Sequence, residues 1–247
     1  MSRFLPQASD VEMLCEHIRS TAFSHIGLVR TANEDRILDD GTRGLFAVAD
    51  GMGGHSLGDW AATTVVQALV AANLSEMGAP AILRALHEAN RTVYAKAQER
   101  GVTCGSTVAG LSVSCSGEAF LFWAGDSRIY RMRKGILERL SRDHSVVQEL
   151  LDAGVLDEDQ AKNHPRGHVI TRAIGVAPAV EIETRAIDYA TGDVYLLCSD
   201  GISGAIGDGE IASLLRAGPI ATAATALRNA ALHGGGKDNL SAVLVAT

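Results

Sequence analysis

The sequence has little cysteine and lacks the signals of a secreted or membrane-spanning chain. Its four cysteines, Cys15, Cys104, Cys115 and Cys198, show no paired spacing, which is typical of reduced thiols. No run approaches the ~18 apolar residues that a membrane span requires, and the N-terminal residues have no apolar signal-peptide core. We therefore expect a soluble, cytoplasmic protein.

A basic surface and a domain linker are absent as well. The chain has 22 Lys and Arg against 29 Asp and Glu, its formal net charge is −7, and its basic residues form no stripe. Nucleic acid and anionic membranes are therefore poor candidates for partners, whereas a cation is a good one. With five prolines and no Pro/Ser-rich linker, repeat or low-complexity tract, residues 1–247 are predicted to form a single domain.

The apolar residues follow helical and strand-like patterns in separate blocks. Their spacing predicts helices over 59–74, 80–99, 144–154, 208–217 and 219–233. Strand-like runs lie at 106–115, 119–125, 128–133, 136–140, 193–201 and 240–246. Because strands and helices come in blocks, we expect antiparallel sheet in an α+β fold. The more polar residues 141–170 are expected to form a connecting loop or a mobile lid.

Aspartates follow apolar runs at several points. The run "LFAVAD" ends at Asp50, "AFLFWAGD" at Asp126 and "VYLLCSD" at Asp200, and Asp238 stands just before the last apolar run. Each aspartate could simply begin a turn. As a group at the rims of buried sheets, however, they would lie close together, and a metal ion would relieve their repulsion.

Two other Asp-Gly pairs serve as internal controls. Asp40-Gly41 lies in a polar stretch and Asp208-Gly209 precedes a helix, so a turn and a helix cap explain them.

The residue types of the aspartate group favour a hard cation. Oxygen ligands select Mg²⁺ or Mn²⁺ over zinc. A competing zinc site would use the H-x₃-H pair His164 and His168, but Pro165 lies inside it and no cysteine pair accompanies it. Two hard cations that share an aspartate could activate a water and hold a phosphoryl group.

Eight motifs follow one another between residues 25 and 246. They are "GLVRTANED" (27–35), "VADGMGGH" (48–55), "GSTVAG" (105–110), "AGDSRIY" (124–130), "LSRDHSVVQELLDAG" (140–154), "HPRGHVITRAIG" (164–175), "LLCSDG" (196–201) and "GGKDNLSAVLV" (235–245). In this order they resemble the motif series of the PP2C-type (PPM) metal-dependent protein Ser/Thr phosphatases, bacterial branch. The resemblance implies a four-layer α-β-β-α sandwich with two central antiparallel β-sheets. Residues 1–24 would be an N-terminal extension leading to the first strand, and residues 141–170 would be the flap beside the active site.

The resemblance also implies a metal centre of two Mn²⁺ or Mg²⁺ ions. Asp50 would bridge the two ions, the carbonyl of Gly51 would ligate one, and Glu34 would reach a metal through water. Asp126 and Asp200 would form a third site. The implied metal positions are Glu34, Asp50, Gly51, Asp126, Asp200 and Asp238.

The implied activity is hydrolysis of phosphoserine and phosphothreonine in proteins, by direct attack of a water that the metal centre activates. Arg30 would bind the substrate phosphate with its fork of donors; the alternative is a surface salt bridge with Glu34, four residues on. Asp35 would orient its neighbours. The expected partners are phosphorylated proteins, made by a cognate Ser/Thr kinase, and the phosphatase itself would be a monomer.

One position departs from the animal members of the family. They carry a histidine, a proposed general acid, directly after the Asp-Gly pair, and this chain has Met52 there. The proton donor is therefore open, and we interpret the nearby His55 as structural. The glycines Gly53 and Gly54 are expected to keep side chains away from the phosphate.

Two other functions compete with hydrolysis. The first is a catalytically silent phosphoprotein-binding module on the same fold, which the sequence disfavours because no acidic position is lost. The second is a nucleotide-binding enzyme, but "GMGGHSLG" matches neither common phosphate-binding loop.

Overall fold

The computed structural model describes residues 18–53, 57–72, 79–113, 119–162 and 164–247. Predictions for Cys15, Gly54, His55, Cys115 and most of the N-terminal extension fall outside these ranges. The first described strand, β1, starts at Arg19, and the two described cysteines, Cys104 and Cys198, are buried free thiols.

The described residues form eleven strands and seven helices. The strands are β1 Arg19–His25, β2 Asp35–Asp40, β3 Leu45–Met52, β4 Gly105–Ser106, β5 Val108–Val113, β6 Ala119–Ala124, β7 Arg128–Arg133, β8 Ile136–Arg139, β9 Glu183–Ile187, β10 Val194–Cys198 and β11 Leu240–Ala246. The helices are α1 Leu57–Ala71, α2 Ala79–Arg100, α3 Val146–Asp152, α4 Glu158–Lys162, α5 Asp200–Ser203, α6 Asp208–Arg216 and α7 Ile220–His233.

These strands build two antiparallel sheets. The first has the order β1-β11-β10-β7-β8, and the second has the order β2-β3-β5-β6-β9 with β4 added to β3. The first described strand thus pairs with the last one, from Arg19 opposite Ala246 to His25 opposite Leu240. This pairing joins the two ends of the described chain in one sheet.

Alternation along the strands produces four layers. In β3, Leu45, Ala47 and Ala49 pack against α1 and α2, whereas Phe46 and Val48 pack between the sheets. In β11, the even-numbered residues from 240 to 244 pack against α6 and α7, whereas the valines at 243 and 245 face the other sheet. Both faces of each sheet are covered, which explains the nearly continuous apolar runs. The predicted α-β-β-α sandwich is confirmed.

Several predicted boundaries need correction. The run at 106–115 is two strands separated by Thr107, and α1 begins two residues earlier than predicted, at Leu57. The predicted strand at 193–201 ends at Cys198, after which Asp200 begins the short helix α5. The predicted helix at 144–154 begins only at 146, because Ser145 is its N-cap and accepts the Gln148 N–H.

The two control aspartates have structural roles. Asp40 ends β2, and its carboxylate accepts bonds from Thr42 and from the Arg43 N–H, so the predicted turn is confirmed. The prediction of a capping role for Asp208 is wrong, because Gly207 is the N-cap of α6. Asp208 instead accepts a hydrogen bond from the Tyr130 hydroxyl at 2.9 Å.

Candidate functional site

Asp50 lies near one end of the sandwich, on the same face of β3 as Phe46 and Val48. Its N–H donates to Thr107 Oγ1 at 3.1 Å, and its carbonyl accepts the Thr107 N–H at 2.8 Å. The strand does not end at Asp50 as predicted, because β4 pairs with the next two residues and extends β3 to Met52. The backbone on both sides of this carboxylate is therefore fixed by strand pairing.

Gly51 is glycine for a steric reason. A Cβ at this position would overlap the carbonyl carbon and oxygen of Gly58 and stand 2.7 Å from the Glu34 carbonyl oxygen. The Gly51 N–H donates to that Glu34 carbonyl at 3.2 Å. Gly53 has φ of 137°, and a Cβ there would meet the side chain of Cys104 at 2.8 Å. Both glycines therefore allow close packing of the backbone around Asp50.

Thr107 links the Asp50 strand to the loop that carries Asp126. Its Oγ1 lies 2.7 Å from Ser127 Oγ, and Gly125, with φ of 114°, packs directly on the Thr107 side chain. The sequence pattern assigned Thr107 no role, although it stands directly before the apolar run that begins at Val108. The residue holds two of the predicted metal positions in fixed relation.

Asp35 lies directly opposite Asp50 in the β2–β3 ladder. It is 2% exposed, and its Oδ2 accepts a 2.8 Å hydrogen bond from Ser199, the residue that precedes Asp200. Its other oxygen, Oδ1, is buried without a hydrogen-bond partner. Ser199 also accepts the Ser241 N–H at 3.1 Å, so one serine connects β2, β10 and β11 behind the site.

Asn239 fixes the loop that carries Arg30 and Glu34. Its Oδ1 accepts the Glu34 N–H at 2.8 Å, and its Nδ2 donates to the carbonyls of Ile26 and Ala32 at 2.9 Å each. Asn239 directly follows Asp238, so one carboxamide places this loop beside the last of the predicted metal positions. The asparagine belongs to one of the eight motifs, but the sequence pattern assigned it no role of its own.

Arg30 projects from this loop and is paired with Asp238. Its Nη2 donates to Asp238 Oδ2 at 2.6 Å, and its side chain is 53% exposed. The alternative salt bridge of Arg30 with Glu34 does not form. The Glu34 carboxylate instead lies against Gly58 in the first turn of α1, where a carboxylate is favoured.

The predicted acidic positions act on one another electrostatically. Burial, then the charges of Asp35, Asp200, Asp126 and Asp238, raise the pKa of Asp50 well above its ordinary value. Burial and the nearby Asp200 raise the pKa of Asp126 to about 7. The pKa of Asp200 is raised by burial and then by Asp238. Carboxyl groups from separate strands and loops are therefore close enough to act on one another's protonation.

Burial also raises the pKa values of Asp35 and Glu34, which follow Arg30 in the sequence. Burial raises the pKa of Asp35 to about 6, although the nearby hydroxyl groups of Ser241 and Ser199 act to lower it. Burial also raises the pKa of Glu34, although the cation of Arg30 lowers it.

The donor set fits hard divalent cations. Repulsion among the carboxylates is the cost that a cation removes, and the unpartnered Oδ1 of Asp35 adds a further buried oxygen. Among the described residues, no three His, Cys, Asp or Glu side chains form a ready-made ligand cluster. Mg²⁺ typically binds through one or two carboxylates and keeps several waters, so this arrangement suits it better than a zinc cage. His164, half of the discarded zinc pair, accepts the Arg166 N–H within its own turn.

The raised pKa values predict an unusual pH dependence of stability for the metal-free protein. The pKa of Asp126 is about 7 in the fold against an ordinary value of 3.8, so the folded chain binds its proton more tightly than the unfolded chain does. The free energy of unfolding in EDTA should therefore rise as the pH falls from 8 to about 5. The rise is about 1.4 kcal/mol for each tenfold difference in proton affinity between the folded and the unfolded chain. His144, whose pKa is lowered by burial, opposes this rise below its ordinary value of 6.5.

Denaturant unfolding at pH 7.5 and 5.5 measures this effect. Saturating Mn²⁺ should reverse the slope, because protons compete with the metal for the carboxylates. A metal-free protein that is less stable at pH 5.5 than at pH 7.5 would show that the carboxylates do not repel one another in solution.

Residues 141–170 begin and end close to the Asp126 loop. His144 accepts the Gly125 N–H through Nδ1 at 3.1 Å and donates its own backbone N–H to the Gly125 carbonyl at 2.9 Å. The other ring nitrogen, Nε2, lies 3.0 Å from Glu183 Oε1 and 3.1 Å from Arg172 Nη1. The carbonyl of His144 accepts the Thr171 N–H at 2.8 Å. Both ends of the predicted flap are thus attached at one histidine.

Comparison with known proteins identifies the family. The sequence profile described as protein phosphatase 2C matches residues 24–244. The chain belongs to the protein phosphatase 2C family, as the motif series predicted. No helix in the described ranges has the length and apolar character needed to cross a membrane.

Relatives of known name come from several bacteria. The chain is 35% identical over 231 residues to the serine/threonine protein phosphatase PstP of Mycobacterium tuberculosis, covering 92% of this chain and 44% of that protein. It thus spans less than half of the length of PstP. It is 31% identical over 232 residues to the serine/threonine phosphatase Stp of Listeria monocytogenes, covering 89% of this chain and 92% of that protein.

Solved structures share the fold. PppA, described as a key regulatory component of T6SS in Pseudomonas aeruginosa, aligns with a TM-score of 0.84 and 40% identity over 93% of this chain and 97% of that one. The catalytic domain of PstP in complex with two manganese ions aligns with a TM-score of 0.82 and 32% identity, over 93% of this chain and 97% of that one.

Proposed function

We propose that this chain is a protein serine/threonine phosphatase that depends on Mn²⁺ or Mg²⁺. The observation that carries the proposal is the convergence of Asp50, Asp126 and Asp200 from three separate strands and their following loops: the charges of Asp200 and Asp126 raise the pKa of Asp50, and the charge of Asp200 raises the pKa of Asp126. Named relatives support the same reaction, and one of them has been seen with two manganese ions. They support hydrolysis over the silent phosphoprotein-binding module.

In this proposal the acidic residues hold the metal ions. Asp50, whose pKa is raised by the charges of Asp35, Asp200, Asp126 and Asp238, would hold the ions together with the Gly51 carbonyl, Asp200 and Asp238. Glu34 would act through water, and Asp126 with Asp200 would take a third ion. When bound, the ions supply the positive charge that lowers the pKa of water and stabilises a phosphoryl group.

Arg30 would bind the substrate phosphate. Its guanidinium is half exposed and already bonds to a carboxylate oxygen of Asp238, so its donors point towards the acidic centre. A planar fork of donors suits two phosphate oxygens. Asn239 fixes the loop on both sides of Arg30, which limits the cost of ordering this side chain on binding.

The proposal also covers the substrates, the oligomeric state and the cellular location. The phosphatase would act in the cytoplasm, as a monomer, on proteins that a Ser/Thr kinase has phosphorylated. Residues 141–170 would form a flap that neighbours the substrate, since His144 ties their ends to the Asp126 loop.

Turnover of p-nitrophenyl phosphate and of a phosphothreonine peptide tests the activity. We expect hydrolysis of both with Mn²⁺ and loss of both with EDTA. The EDTA-treated protein should also show a lower Tm than the Mn²⁺-loaded protein at pH 7.5, because the ions bind only the folded chain. Peptide binding without turnover at saturating Mn²⁺ would instead support the silent binding module.

A further inference from the structure

Two large apolar side chains stand exposed directly before Arg30. Leu28 is 66% exposed and Val29 is 65% exposed. Among the exposed large apolar residues in the described part of the chain, they are the only two that are adjacent in sequence. Exposed apolar patches beside a functional group commonly mark a contact surface.

The backbone below these two residues is held in place. The Leu28 N–H donates to the Gly236 carbonyl at 2.7 Å, and the loop is fixed on either side by Asn239, through the carbonyls of Ile26 and Ala32. Gly27 has φ of 84° and lies so close to the Asp238 carbonyl that a Cβ would overlap it. A held backbone presents the side chains to solvent in a fixed position, which suits binding because little ordering remains to be done.

The position of the pair relative to Arg30 defines what it can touch. Consecutive Cα atoms are 3.8 Å apart, so Val29 and Leu28 lie within about 8 Å of Arg30 along the chain. An extended peptide advances about 3.3 Å per residue. With its phosphate at Arg30, such a peptide can reach the pair with a side chain one to three positions from the phosphorylated residue.

The charges near Arg30 disfavour an acidic flank in the peptide. The described groups that act on the Arg30 guanidinium are the carboxylates Asp238, Asp200 and Glu34. Arg30 is the cation among these groups, and the substrate phosphate would occupy it. An acidic side chain beside the phosphate would therefore have no positive partner among them. An apolar side chain there would instead remove Leu28 and Val29 from water.

We propose that Leu28 and Val29 form an apolar ledge that binds an apolar side chain flanking the phosphorylated residue of a protein substrate. The ledge gives the phosphatase a preference for phosphorylation sites with leucine-like neighbours. This inference rests on the proposed function, because it places the substrate phosphate at Arg30.

Matched phosphothreonine peptides test the ledge. One peptide carries leucines at the three positions on each side of the phosphothreonine, and the other carries serines there. With Mn²⁺, the wild type should show about a tenfold higher kcat/KM for the leucine peptide, mainly through KM. Val29→Ser should reduce this preference to less than about threefold, and Leu28→Ser should do the same.

Ile136→Ser is the matched control. Ile136 is 71% exposed and lies beyond the far end of β7 from Asp126, so its loss should leave the tenfold preference intact. Each peptide rate is divided by the rate on O-phospho-L-threonine, which has no flanking residue to touch the ledge, so general damage to the site cancels.

The outcomes separate the two proposals. Equal turnover of both peptides by the wild type, or a preference that survives in Val29→Ser and Leu28→Ser, would refute the ledge but not the proposed phosphatase activity. No turnover of either peptide or of the aryl phosphate overturns the proposed function itself. A wild-type dimer in size-exclusion chromatography that Val29→Ser dissociates would assign the pair to a second copy and also overturn the ledge.

Discussion

Asp50→Asn is expected to lower kcat for p-nitrophenyl phosphate by about 10³-fold or more while making the metal-free protein more stable. The loss of activity follows because an amide bridges two cations poorly, and metal-ion stabilisation of a phosphoryl group is worth several kcal/mol. The gain in stability follows because Asp50 is the carboxyl group on which the other four charges act. Removing its charge should add about 2 kcal/mol to the free energy of unfolding in EDTA at pH 7.5.

The two measurements are Mn²⁺-dependent turnover and Tm with and without Mn²⁺. For a chain of this size, 2 kcal/mol corresponds to a rise in Tm of about 4–8 °C. The Mn²⁺-induced rise in Tm should shrink at the same time. Asp39→Asn is the matched control, because Asp39 lies on the same β2–β3 ladder, opposite Phe46, with its side chain exposed. Full activity of Asp50→Asn would refute the metal centre.

Arg30→Ala is expected to lower kcat/KM for a phosphothreonine peptide by about 10²-fold to 10⁴-fold. This loss corresponds to two charge-assisted hydrogen bonds to phosphate, each worth about 1.5–3 kcal/mol. Arg30→Lys should fall between the wild type and Arg30→Ala, because lysine keeps the charge but loses the planar fork. The Mn²⁺-induced rise in Tm should persist in both variants, since Arg30 is not among the proposed ligands.

Arg91→Ala is the control for loss of an exposed arginine. Arg91 pairs with Glu88 on the surface of α2, and its side chain is 64% exposed. A kcat/KM for Arg30→Ala within about threefold of the wild type would show that the pair of Arg30 with Asp238 is only structural.

The sequence predicted the parts of the fold that are buried on two sides. Runs such as the one before Asp50 are apolar on both faces because a sheet and a helical layer cover them, so both the strands and their aspartate ends were recognisable. The edge strands β2 and β9 were missed. They have a solvent-facing side and carry charged residues, as in "DRILDD" and "ETRAI", so their apolar signal is weak.

The supporting residues of the site could not be found from local pattern. Thr107 binds Asp50 from 57 positions away, and Asn239 binds Ile26 from 213 positions away. A polar residue at the start of an apolar run indicates that its side chain has a hydrogen-bond partner, but only the folded chain determines which residue that is. The carboxylates were easier to predict, because each follows or precedes an apolar run.

The hydrogen bonds from Asn239 to the Arg30 loop also determine how late in synthesis the site can form. The loop comes from the start of the described chain, while Asp238, Asn239 and β11 come from its end, and β11 lies between β1 and β10. A nascent chain therefore lacks a closed sheet, a fixed Arg30 and the final carboxylate until about residue 246 has left the ribosome. We therefore expect a chain that ends within β11 to lack the proposed phosphatase activity.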